Sequence, residues 1–250
     1  MFFDSHAHLT GDPLFASLPE ILKRGRLAGV TGVMNICTDL LTLERALEVQ
    51  EKGFFVAGAT TPQDAALEGI PHFPRFEKAA REGELHAVGE TGLDYGEDEA
   101  TWPLQRSLLE KYTLLAEETS LPLIFHCRGA FDDLYEVTKG YAGKAVMHCF
   151  TGSIKEAEEA LSRGWMISLS GILTFKKAMA LREVAQQVPK KQLLIETDAP
   201  YLAPESRRGK VNEPSFIIET CATLAALHQL SLEEMGEITY QNALQIFSKK

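Results

Sequence analysis

The 250-residue sequence predicts an α/β fold, a (β/α)8 TIM barrel with one extra C-terminal helix. Three observations lead there. Short apolar segments alternate with amphipathic ones along nearly the whole chain, the pattern of parallel βα units. Eight such units in 250 residues match the size of one barrel. The glycine-rich fingerprint that a doubly wound dinucleotide-binding sheet carries after its first strand is absent.

Strands are expected at residues 1–5, 32–36, 54–58, 86–89, 123–126, 145–148, 166–169 and 193–196, where apolar and β-branched residues cluster in short runs. Helices are expected between them at residues 18–28, 41–51, 73–81, 103–119, 130–138, 154–163 and 178–188, where apolar residues recur at three- and four-residue spacing. Residues 215–227 and 232–247 give two more after the last strand. Gly29, Gly53, Gly83 and Gly164 stand just past helix ends, where a left-handed terminating residue is favoured. With no repeat beyond the βα period and no linker-like segment, residues 1–250 are expected to form one domain.

Hydrophobic residues make up 45% of the chain and charged residues 24%, the balance of an ordinary globular protein. The chain opens on an alternating strand rather than a basic segment followed by an apolar run, and no stretch approaches a membrane-spanning length. A cytoplasmic protein without a membrane partner is expected, and no obligate protein partner is evident. Cys37, Cys127, Cys149 and Cys221 are scattered without a Cys-x-x-Cys, which fits reduced thiols rather than disulfides or a zinc cage. The net charge of −10 argues against a basic face that tracks a polyanion. Bound divalent cations would offset part of that charge locally and hold one or two phosphates without a basic groove.

Chemistry concentrates at strand ends. His6 and His8 are two residues apart on the first strand, so their rings share a face and form half of a chelate. Glu90 ends strand four, His126 strand five, His148 strand six and Asp198 strand eight, all at the rim where barrel enzymes place their sites. Singly, each has a structural explanation such as a helix cap or a hydrogen-bonded core histidine. Together they would be costly to desolvate unless a cation satisfied them. Strict alternation places Phe2, Asp4, His6 and His8 on one face, with Asp4 deeper and orienting a ligand imidazole. It also puts Val88, Ile124, Val146 and Glu196 inward, one layer below the ligands, and turns Cys127 and Cys149 away.

The runs from Asp4 to Leu9, Gly89 to Tyr95, His126 to Arg128, His148 to Gly152, Ser170 to Lys176 and Glu196 to Leu202, followed by Asn212-Glu213-Pro214, resemble the TatD-like family of metal-dependent deoxyribonucleases. The resemblance spans essentially the full chain in order. It implies a barrel of the amidohydrolase type, a divalent metal centre and hydrolysis of DNA phosphodiester bonds. It also implies that His6, His8, Glu90, His126, His148 and Asp198 are the metal ligands, with Glu90 in the bridging position. Thr61 stands where the family usually carries a histidine, and the acidic run from Gly96 to Trp102 is unusual beside a phosphate.

Two divalent ions, Mg²⁺, Mn²⁺ or Zn²⁺, are expected, one on His6, His8, Glu90 and Asp198 and the other on Glu90, His126 and His148. Asp198 and Glu90 are the expected catalytic carboxylates, with Asp198 taking the proton of the attacking water. Substrate contacts are expected from Arg128, Lys176 and Arg207 to phosphate and from Tyr201 to a base, with Tyr95, Trp102, Phe150 and Phe175 as further stacking candidates. Asn212 is expected to cap the following helix, with Pro214 in its first turn. DNA at ends or in single strands is the expected substrate. The alternatives are an amide or ester hydrolase on the same centre, aminoacyl esters included, and a metal-stabilised binding subunit.

Overall fold

In the computed structural model, which describes residues 1–49 and 51–248, eight strands lie side by side in chain order and every neighbouring pair is parallel. They are β1 (Phe2–Ala7), β2 (Val30–Cys37), β3 (Phe54–Gly58), β4 (Ala87–Asp94), β5 (Leu123–Arg128), β6 (Ala145–Met147), β7 (Met166–Leu169) and β8 (Leu193–Ile195). The ring closes just beyond β8. There Asp198 N donates to His6 O (2.9 Å), His8 N donates to Ala199 O (2.7 Å), and Ala7 pairs with Ala199 in a parallel bridge. The barrel expected from the βα period is therefore the observed fold.

Helices α1 (Leu18–Leu27), α2 (Leu40–Glu48), α3 (Ile70–Arg81), α4 (Trp102–Thr119), α5 (Phe131–Val137), α6 (Ile154–Ser162), α7 (Met179–Gln187) and α8 (Ile217–Leu227) follow the strands in turn. The extra helix α9 (Leu232–Phe247) starts at a reciprocal cap: Glu234 N donates to Ser231 Oγ (3.2 Å) and Ser231 N donates to Glu234 Oε2 (2.8 Å). Its Ala243, Ile246 and Phe247 pack with Phe3, Met34, Ile36, Ile124, Val146 and Leu194 of the barrel interior. That packing seals the end of the barrel opposite the candidate ligands, so the chemistry is left to the other mouth.

Element limits differ from expectation where tertiary contacts intervene. Helix α2 stops at Glu48, before Gly53, and its expected reach across Gln50 lies outside the described residues. Helix α3 starts earlier than expected, with Pro71 in its first turn, where a missing N–H costs nothing. Strand β4 runs on to Asp94 through two glycines that read as an ending. Gly92, at φ 152°, lies so close to β5 that a Cβ would overlap the carbonyl oxygen of His126.

Strict alternation also fails in two strands. Phe2 packs in the outer shell beside Gly29 and Gly236, while Phe3 faces inward. Irregularities in the β1–β2 register between Asp4 and Ala7 then re-phase the strand, and both His6 and His8 reach the mouth. Similarly Ala87, not Val88, is the inner residue of β4, and a register shift between Gly89 and Thr91 returns Glu90 to the inside. Ile124 and Val146 face inward as expected. Among the described residues no single helix is long and apolar enough to cross a membrane.

Candidate metal centre

Four polar atoms meet at the mouth between β1 and the segment after β8. His6 Nε2 is 3.3 Å from His8 Nε2, 3.3 Å from Glu90 Oε2 and 3.8 Å from Asp198 Oδ1. His8 Nε2 is 3.6 Å from Glu90 Oε2 and 3.5 Å from Asp198 Oδ1. Donor atoms sharing a tetrahedral cation at bonds of 2.0–2.1 Å stand about 3.3 Å apart, so these spacings suit a cation better than a hydrogen-bonded cluster. Asp198 reaches the group from a left-handed backbone (φ 59°), a conformation that costs an L-residue about 1 kcal/mol and that Asp tolerates better than most.

Glu90 is shared. While Oε2 belongs to the first group, Oε1 lies 2.8 Å from His126 Nδ1 and 2.9 Å from His148 Nε2. The ring of His148 stacks on that of His6 with centroids 3.8 Å apart, which binds the two groups into one buried cluster. His and Glu side chains are thus positioned to bind metal in two groupings, His6-His8-Glu90 and Glu90-His126-His148, and His6-His148-Glu196 forms a third that shares their members. Among the described residues, two buried atoms beside this cluster, His6 Nδ1 and Glu196 Oε2, have no hydrogen-bond partner.

Without a cation, protons balance the charge. Burial works against the His126 imidazolium, but the Asp94 and Glu90 carboxylates outweigh it and push its pKa up to about 9. Burial also opposes charge on His148, and Glu90 and Glu196 hold it well above the ordinary range nonetheless. Glu90 is held well below the usual carboxylate range: burial raises it, but the His148, His126 and His6 imidazoles prevail.

A second ring of side chains fixes the first. Asp94 Oδ2 lies 3.0 Å from His126 Nε2 and accepts from Gln63 Nε2 (2.9 Å), while its Oδ1 accepts from Gly96 N (2.8 Å). Glu196 Oε1 lies 3.2 Å from His148 Nδ1 and accepts from Cys149 N (2.7 Å). Sequence reasoning noted Glu196 as an inward residue but gave no role to Asp94 or Gln63. The signal for Asp94 was its spacing: with β4 extended, Glu90, Gly92 and Asp94 share a face.

Asp4 does something other than expected. It orients no imidazole; both its oxygens are taken by Thr197, from N at 2.9 Å and Oγ1 at 2.6 Å, so it braces the barrel seam. Burial pushes its carboxyl up to about 7 despite those bonds. Asn212 likewise caps no helix. Fully buried, its Nδ2 donates to Thr197 O (2.8 Å) and Tyr201 O (2.6 Å) and pins the loop after β8. Cys127 packs in the outer shell and Cys149 Sγ lies 3.1 Å from Ser170 Oγ, and among the described residues neither joins a metal-type cluster.

Above the cluster opens a cavity of about 640 Å³, bordered by His8, Thr61, Gln63, Asp94, Arg128 and Tyr201 among others. Thr61 donates its hydroxyl to Asp64 Oδ2 (3.0 Å). The structure brings Arg128 and Tyr201 to this cavity but not Lys176 or Arg207. Arg207 is turned to Glu219 (3.1 Å) and the Phe216 ring. Lys176 is exposed on the chain after β7. Of the aromatic candidates, Tyr95 and Trp102 stack on each other at 3.9 Å, Phe150 is buried, and Phe175 lies under Arg208.

A family model described as TatD related DNase matches residues 3–248. This chain belongs to that family. The Bacillus subtilis protein named uncharacterized metal-dependent hydrolase YabD is 34% identical over 252 residues, covering 99% of each chain. The Klebsiella pneumoniae protein named 3'-5' ssDNA/RNA exonuclease TatD is 31% identical over 234 residues, 90% of this chain and 89% of that one. Among solved structures, the TatD homologue YjjV of Escherichia coli K12 superposes with a TM-score of 0.93 at 27% identity over 100% of this chain and 98% of that one. A TatD-family protein is a metal-dependent hydrolase, and the donor set at the barrel mouth is in keeping with that activity.

Proposed function

We propose that this TatD-family hydrolase cleaves phosphodiester bonds in DNA, at strand ends or in single strands, with two divalent cations, Mg²⁺, Mn²⁺ or Zn²⁺. The observation that carries the proposal is the division of Glu90, whose two oxygens serve two separate groups of donors. His6, His8, Glu90 and Asp198 would hold one ion, and Glu90, His126 and His148 the other. Such a pair, when bound, supplies an acidified water and charge neutralisation for an in-line displacement.

Within that frame the protein's own groups have distinct work. Asp198 accepts the proton of the attacking water from its place at the mouth, with Oδ1 3.5 Å from His8 Nε2 and 3.8 Å from His6 Nε2; in the cation-free cluster burial raises its pKa, but the His8, His148 and His6 imidazoles hold it below the usual range and keep it ionised. Glu90 keeps the two donor groups in register. Asp94 and Glu196 orient His126 and His148, and Arg128 binds phosphate at the rim. The name of the Klebsiella relative supports a nucleic-acid substrate and exonucleolytic action.

End-labelled single-stranded and duplex DNA, incubated with the metal-loaded protein, tests the reading. Expected is cleavage that EDTA abolishes and that Asp198→Asn lowers by at least about 10²-fold, the scale of a lost general base. Intact DNA with folded, metal-loaded protein would overturn it and favour an amide or ester substrate.

A further inference from the structure

Resting on the nuclease reading, we infer that the site grips a strand end through one phosphate beyond the scissile one, held by Arg128. Its substrate unit is then a terminal trinucleotide, with two internucleotide phosphates, rather than a length of strand. Among the described residues bordering the cavity, Arg128 is the one lysine or arginine. Its side chain is 69% exposed, and its nearest carboxylate oxygen, Asp94 Oδ2, is 4.0 Å from Nη1, too far to occupy the guanidinium donors. The guanidinium lies over Gly96, where a Cβ would stand 2.9 Å from Cζ, so the glycine keeps open the place that the arginine fills.

The footprint ends there because of what comes next. Gly96 leads directly into Glu97, Asp98 and Glu99, all exposed, which repel a backbone continuing past Arg128. The other cations on the loops after β7 and β8 do not border the cavity, the exposed Lys176, Lys177 and Lys210 among them; Arg207 is paired with Glu219, and Arg208 lies 4.8 Å over the Phe175 ring and 3.8 Å from Glu205. Across the ring, on the loop after β8, Tyr201 is 59% exposed and meets His8 edge-on at 5.8 Å. It offers a face to the terminal base in the same cavity that Arg128 borders.

Fluorescein-labelled oligodeoxynucleotides of two, three, six and twenty nucleotides test the inference. Two readouts are used: kcat and KM with the metal-loaded protein, and equilibrium anisotropy with its Asp198→Asn variant. Expected are kcat/KM values within about twofold from three to twenty nucleotides, a value about tenfold lower for the dinucleotide, which has no phosphate beyond the scissile one, and a log–log salt slope of about 0.7 for each of at most two phosphates. Arg128→Gln should raise KM about tenfold, with most of its effect in KM rather than kcat, and reduce the salt slope by about 0.7, while Arg128→Lys restores much of the loss. The inference is overturned if kcat/KM climbs tenfold or more between three and twenty nucleotides, if the dinucleotide matches the trinucleotide, if the slope corresponds to three or more phosphates, or if Arg128→Gln leaves KM unchanged. Those results leave the nuclease reading standing, whereas no cleavage of any oligonucleotide removes both.

Discussion

A carboxylate behind a ligand imidazole decides which ring nitrogen faces forward. Asp94 does this for His126, and because Gly96 N and Gln63 Nε2 already fix its two oxygens, it holds the ring without swinging itself. Asp94→Asn puts an amide donor against one of those partners. We expect metal affinity to fall about 10–100-fold with the fold intact, measured by chelator competition and circular dichroism. An unchanged affinity would make Asp94 a mere neighbour. The six candidate ligands stood out in the sequence because donor side chains recur at or just after the expected strand ends, although β4 runs on past Glu90 to Asp94. Asp94 was hidden by Gly89 and Gly92, which read as the end of a strand; the tight approach of β5 that requires Gly92 is visible only in three dimensions.

At the scale of elements, two local devices set the site. Gly92 lets β4 close on β5, which brings Glu90 and His126 together. Gly92→Ala forces a Cβ against the His126 carbonyl in a backbone conformation that disfavours any side chain, and should cost about 3 kcal/mol or more in denaturant unfolding. A loss under about 1 kcal/mol would show that the strands can separate freely. Asn212 pins the loop that carries Tyr201, and Asn212→Ala strands two carbonyls. We expect about 3 kcal/mol of lost stability, read as a lower unfolding midpoint, and a near-neutral result would mean water replaces the amide. Strand and helix order followed from periodicity, but the phase of β1 and β4 did not. Register shifts arise from how neighbouring strands pair, so an alternation count along one strand puts Phe2 and Val88 on the wrong face.

For the molecule as a whole, the cluster links metal uptake to protons. With His126 held up to about 9 and His148 well above its ordinary value, both are imidazolium at neutral pH when no cation is bound. Metal binding must expel those protons, so calorimetry in buffers of different ionisation enthalpy should report release of about two protons at pH 7, with affinity rising toward pH 9. Uptake without proton release would refute the arrangement. Because the folded pKa of His126 lies above its ordinary 6.5, its stabilising contribution to the metal-free fold is complete below that pH and disappears as pH rises through about 9. The same cluster lies on the seam where β1 meets the chain after β8, through Asp198 N to His6 O and the Ala7–Ala199 bridge. Catalytic competence is thus a readout of assembly: a chain with seven strands in place but an open seam has no site at all. Activity should accordingly vanish at lower denaturant than helical ellipticity. A partly formed barrel would be a silent species rather than a weak enzyme.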